Sequence, residues 1–94
     1  MHIRCLPEAI EDLDRIHSFY MEVDPKLAPR VAAIILNLAE SLDQFSERGR
    51  PSRIPNTREL VGKFGAGAFI LRYQTLEDGI LVVQVKHSRE RSKS

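Results

Sequence analysis

The sequence predicts an α+β domain: an N-terminal strand, then an antiparallel helical hairpin packed on a small, twisted, mainly antiparallel sheet, in the order β-α-α-β-β-β. Three observations predict it. Two stretches in the first half carry apolar residues at helical spacing, and Val23-Asp24-Pro25 separates them. Two stretches in the second half, Ala68 to Thr75 and Ile80 to Lys86, read as strands joined by Glu77-Asp78-Gly79, a hairpin signal. The chain has 94 residues, 43% of them hydrophobic and 29% charged, which suits one folded domain over residues 1–94.

His2 to Leu6 reads as a short strand, with Cys5 alternating with Ile3. Pro7-Glu8 opens the first helix. Proline suits a first helical position, and Glu8, Glu11 and Asp12 meet the positive end of the dipole. Ile10, Leu13, Ile16 and Tyr20 form its apolar face, with His17 beside it, and Asp12, Arg15 and Glu22 fall largely on the other side. Asp24 is placed to N-cap the second helix with Pro25 at N1. Pro29 would break an interior turn, so the regular helix is expected to begin near Ala28 or Pro29 and run to about Gln44. Its apolar set is Leu27, Val31, Ile34, Ile35, Leu38, Leu42 and Phe45.

Phe45 to Asn56 reads as a solvated loop, carrying Arg48, Arg50 and Arg53 with Gly49, Pro51 and Pro55. Thr57 to Lys63 is a short strand near an edge, and Phe64-Gly-Ala-Gly67 a turn. The next strand puts Phe69, Leu71 and Tyr73 on one face, with Ile70 and Arg72 on the other. The last strand is apolar on both faces over its first half, which suits an interior position.

Net charge is +1. Residues 1–47 carry four Lys/Arg against nine Asp/Glu (−5), whereas residues 48–94 carry ten against four (+6). A basic sheet part suggests an anionic partner, either nucleic acid or an acidic protein segment. The longest apolar runs, Val31 to Leu36 and Ile80 to Val83, fall short of the roughly 18 residues of a membrane span, so no membrane association is expected. The N-terminus lacks signal-peptide shape, and the single cysteine allows no internal disulfide; both fit a cytoplasmic protein. Cys5 itself reads as a small buried hydrophobe.

His2, His17, His87 and Cys5 are too dispersed for ligand spacing, so no metal site and no cofactor are expected. RNA cleavage would need a base, an acid and cations on the phosphate. His87 and Arg89, with Arg91 and with Lys63 or Arg72 on neighbouring strands, are the residues that supply part of that set.

The order of elements matches a known family. The helix Pro7-Glu-Ala-Ile-Glu-Asp-Leu-Asp-Arg-Ile16 is followed by a long helix ending before Gly49-Arg50-Pro51. Thr57-Arg58-Glu59-Leu60, Leu71-Arg72-Tyr73 and a terminal Val85-Lys86-His87-Ser88-Arg89 complete the series. Together they resemble the RelE/ParE superfamily of bacterial type II toxins over nearly the whole chain. The resemblance implies a toxin neutralised by a cognate antitoxin, itself expected to carry a ribbon-helix-helix or similar DNA-binding N-terminus, so that DNA is met only through the antitoxin. Apolar anchors and acids of the antitoxin would lie near Leu13, Phe19, Tyr20, Ile35 and Leu38, with Arg72 and Arg89 pairing with its acids; the five apolar residues serve a core equally well.

RelE-like members cleave mRNA on the ribosome, whereas ParE-like members poison DNA gyrase. This chain resembles the second branch. It has Ile70 where RelE-like toxins place an arginine three residues before the strand tyrosine. It has no tyrosine beyond Arg91, and one lysine, Lys63, in place of a pair. The resemblance therefore implies a gyrase inhibitor acting by protein–protein contact through Lys86, His87, Arg89 and Arg91, with Arg58 and Arg72 in support and no catalytic residue. The alternative is a ribosome-dependent mRNA endonuclease using His87 and Arg89.

Overall fold

A computed structural model describes residues 2–89. Strand β1 (His2–Cys5) leads into helix α1 (Pro7–Val23), helix α2 (Ala28–Ser41), and strands β2 (Arg50–Pro51), β3 (Arg58–Phe64), β4 (Gly67–Leu76) and β5 (Gly79–His87). The sheet order is β1-β5-β4-β3-β2; β1 runs parallel to β5, and the other pairs are antiparallel. No described helix is long and apolar enough to cross a membrane.

The two helices cover one face of this sheet. Ala9 and Ile16 of α1 and Val31, Ile35, Leu38 and Ala39 of α2, with Leu42, pack on Leu60, Phe69, Leu71, Tyr73, Ile80, Val82 and Val85. Burying these side chains is the main force that closes the hairpin onto the strands. The expected α1 face is rotated: Ala9 is fully buried while Ile10 is 51% exposed. Asp12, expected to face solvent, turns to the sheet, and its Oδ2 accepts a hydrogen bond from the Val85 backbone N–H at 3.0 Å. Ala9 and Ile16 therefore carry the inward face of α1, and Ile10 lies beside it.

Asp24 does not cap α2 directly. Its Oδ1 accepts from the Lys26 N–H (3.1 Å) and its carbonyl from the Leu27 N–H (2.9 Å), which makes a turn between the helices. Helix α2 then starts at Ala28, with Pro29 in the first turn where its missing N–H costs nothing. It stops at Ser41, short of the expected Gln44, and Phe45 is 66% exposed.

The segment read as a solvated loop contains an extra strand. Arg50 and Pro51 pair with Glu59 and Arg58, so the sheet has five strands. Pro51 lacks an amide donor, which suits the edge. The segment is tied down: Gly49 N–H donates to the Tyr73 hydroxyl (2.9 Å), and the Arg58 guanidinium donates to the Gly49 carbonyl (2.8 Å) and the Glu47 carbonyl (3.3 Å). A Cβ on Gly49 would lie 2.7 Å from the Glu59 carbonyl oxygen and 2.8 Å from the Tyr73 hydroxyl, so the approach requires glycine.

The β4–β5 register shifts at Arg72/Tyr73. Tyr73 pairs with Val82 but Arg72 with Gln84, leaving Val83 unmatched. Simple alternation from Ile80 would aim Gln84 into the core. The bulge instead buries Val85, turns Gln84 and Lys86 to the helix-free face, and brings His87 back to the helix side.

Candidate functional site

The exit of β5 is held rigidly. The Ser88 N–H donates to the Ala68 carbonyl (2.8 Å), and the Ser88 hydroxyl accepts from the Ala68 N–H (3.0 Å). Nδ1 of His87 accepts from the Arg89 N–H (3.1 Å), so a neutral ring carries its proton on Nε2. The His87 ring stands edge-on to Phe69, with centroids 5.2 Å apart. A Cβ on Gly67 would come within 2.6 Å of His87 Cε1, so this glycine makes room for the imidazole.

Phe69 belongs to an aromatic cluster. Tyr20 meets Phe19, Phe64 and Phe69 at 5.1, 5.9 and 6.3 Å, each edge-to-face, and Phe64 meets Phe69 at 5.7 Å. Phe19, Tyr20 and Phe64 of this cluster form one wall of a groove of about 690 Å³ between the C-terminal half of α1, the β3–β4 turn and the end of β5. Three basic side chains line it, Arg15, His87 and Arg89, and among the described residues no lining side chain carries a carboxylate. Nη1 of Arg15 lies 2.7 Å from Oδ1 of Asp12, whose other oxygen holds the Val85 amide. Asp12 thus links α1 to β5 and orients Arg15 at the groove.

The residues expected to contact a target are divided among several places. His87 and Arg89 line the groove. Lys86 and Arg72 lie on the helix-free sheet face. There Arg72 Nε is 2.7 Å from Glu59 Oε2 and its Nη1 donates to Gln84 Oε1 at 2.5 Å, while Arg50 Nε approaches Glu59 Oε1 at 3.5 Å. The Arg72 and Glu59 side chains are 17% and 13% exposed, so this pair is an internal strut across three strands. Arg58 is engaged with the loop before β2, and Arg91 lies outside the described residues.

The residues expected to meet an antitoxin divide as well. Ile35 and Leu38 are buried in the core and Leu13 packs against it, whereas Phe19 (55% exposed) and Tyr20 line the groove, as Arg89 does. Sequence reasoning missed Arg15, Phe64 and Gly67. Arg15 sits four residues before Phe19, on one helix face with it, but that signal was masked by assigning Ile10 to the apolar stripe.

A second, apolar trough of about 360 Å³ opens between the two helices and β1, with Ile3, Cys5, Leu13 and Val31 in its walls. Burial raises the Cys5 pKa, so its thiol stays protonated and unreactive at neutral pH. No group of three or more His, Cys, Asp or Glu among the described residues is arranged to hold a metal.

Residues 3–92 match the family of ParE toxins of type II toxin–antitoxin systems. Toxin RelE3 of Caulobacter vibrioides is 35% identical over 90% of this chain and 91% of its own length. Toxin RelE1 of the same organism is 33% identical over 87% of each. The putative toxin Y4kP of Sinorhizobium fredii is 33% identical over 94% of this chain and 88% of its own. Among solved structures, a chain of a chromosomal ParDE toxin–antitoxin system from P. aeruginosa superposes with a TM-score of 0.77, covering 95% of this chain and 97% of that one at 23% identity.

Proposed function

The chain belongs to the ParE toxin family of type II toxin–antitoxin systems, and from that premise we propose that it inhibits DNA gyrase by protein–protein contact until a cognate antitoxin neutralises it. One observation carries this reading. The rigid exit of β5 presents His87 and Arg89 beside the exposed Phe19, in one groove. Aromatic and arginine side chains next to one another are what a protein-binding hot spot uses. The groove is less suited to RNA hydrolysis, which calls for a matched base and acid as well as cations on the phosphate. The antitoxin would neutralise the chain with apolar anchors and acids of its own.

Induced expression in bacteria tests the proposal. Filamentation and DNA cleavage complexes that depend on gyrase are the expected outcome. Replacing Arg89 and Arg91 together by Ala should reduce growth inhibition while the folded protein accumulates to the same level; full inhibition by the double variant rejects the assignment to the tail.

A second reading is favoured by the RelE names of two relatives. In it, His87 and Arg89 serve a ribosome-dependent mRNA endonuclease. Immediate arrest of translation with mapped cuts in mRNA, and no gyrase-dependent DNA cleavage, would select it.

A further inference from the structure

The ladder between β4 and β5 ends on a side chain. Phe69 pairs with His87, so Ala68 and Ser88 stand opposite one another at the next rung. The Ser88 N–H donates to the Ala68 carbonyl at 2.8 Å, as a continuing antiparallel pair requires. The return bond is different. In such a pair the Ala68 N–H would go to the Ser88 carbonyl; here it goes to the Ser88 hydroxyl at 3.0 Å. The hydroxyl closes the rung, so the main chain is free to leave β4 after Ser88 without stranding the Ala68 amide.

Arg89 is held from a second direction. Its N–H donates to Nδ1 of His87 at 3.1 Å, and the His87 ring stands edge-on against the buried Phe69 at 5.2 Å. Gly67 leaves room for both arrangements. A Cβ there would lie 2.6 Å from His87 Cε1 and 3.2 Å from the Ser88 hydroxyl oxygen. The backbone at Arg89 is thus aimed through the Ser88 hydroxyl to the sheet and through the His87 ring to the core.

We propose that Ser88 is a positioning residue for the toxic contact: its hydroxyl ends the β4–β5 ladder at Ala68 and so sets the direction in which Arg89 leaves the sheet. The inference rests on the proposal that Arg89 belongs to the surface that meets the target, and it adds the residue that aims it. With alanine at position 88 the Ala68 N–H has no hydroxyl to meet and takes the backbone carbonyl instead. The ladder then runs on by one bond and carries Arg89 elsewhere. Ser88 is itself exposed, so little of the fold's stability depends on its side chain.

The test expresses the full chain in bacteria and measures, for each variant, the level of folded protein that halves the growth rate. Melting temperatures are taken on the purified proteins, and gyrase-dependent DNA cleavage is scored separately. Ser88→Ala is expected to raise the half-inhibitory level about fivefold, the order of effect of one neutral hydrogen bond, with the melting temperature of the wild type. Ser88→Thr keeps the hydroxyl and should restore wild-type potency. Added to Arg89→Ala, Ser88→Ala should cost less than about twofold more, because a residue that acts through Arg89 then has nothing left to position. Where Arg89→Ala alone abolishes inhibition, the threonine comparison decides. Wild-type potency of Ser88→Ala or of Arg89→Ala overturns the inference. So does a loss that threonine fails to rescue, that comes with a matching fall in melting temperature, or that multiplies in full with Arg89→Ala. Growth inhibition without gyrase-dependent cleavage rejects gyrase as the target and leaves the same comparisons to decide the role of Ser88; a wild type that halts no growth overturns both.

Discussion

Two regions of this molecule gather arginines, and they use them differently. On the helix-free sheet face, Arg72 spans three strands between Glu59 and Gln84, and both partners of its ion pair are largely out of water. At the exit of β5, Arg89 is exposed and Arg15, held by Asp12, lines an open groove. The first arrangement completes its electrostatics internally; the second sets basic side chains on the wall of an open groove. Positive charge in the second half of the sequence is therefore a poor guide to function on its own. The partner of each cation decides whether it is a strut or a contact.

The largest effect should come where both regions share a support. Phe69 is 1% exposed, and it backs the groove through His87 and Tyr20. Phe69→Ala should cost about 3–5 kcal/mol. Chemical denaturation would measure the loss, and growth inhibition should disappear with the fold. A variant as stable as the wild type would mean that the aromatic wall and the core are independent.

Next comes the strut. Glu59→Ala strands the Arg72 guanidinium in a mostly buried position and should destabilise by about 1–3 kcal/mol. At matched levels of folded protein, growth inhibition should be unchanged. Arg89→Ala reverses this pattern, with stability within about 0.5 kcal/mol of wild type and growth inhibition reduced. If both variants lose stability and toxicity together, the division between strut and contact fails.

How much of this was legible in the sequence depends on the kind of interaction. The strand–helix–helix–sheet order was readable, because it rests on periodicity and on local signals such as Pro7 and Glu77-Asp78-Gly79. The fold of the ParDE-system chain bears it out. The short β2 was hidden because two residues carry no period; its place is set by Gly49, Tyr73 and Arg58 across distant sequence. The groove was half visible. Phe19, Tyr20, His87 and Arg89 were each singled out, but for separate partners, and only the bulge at Val83 brings His87 to the same side of the sheet as α1. Arg72 and Arg58 were read as available cations because their acceptors lie 13 and 9 residues away and no local spacing reports them.

Asp12 joins the two kinds of behaviour in one residue, and its replacement gives the finest test. Its carboxylate satisfies the Val85 amide and also holds Arg15 at the groove. Asp12→Ala removes both and should cost about 1–2 kcal/mol, since the amide loses a charged acceptor. Asp12→Asn keeps an oxygen for that amide but weakens the grip on Arg15. It should therefore recover most of the stability, read as a melting temperature close to wild type, while growth inhibition stays lower than wild type. If the asparagine variant recovers stability and toxicity in equal measure, Asp12 acts only through the fold, and Arg15 owes nothing to the charge beside it.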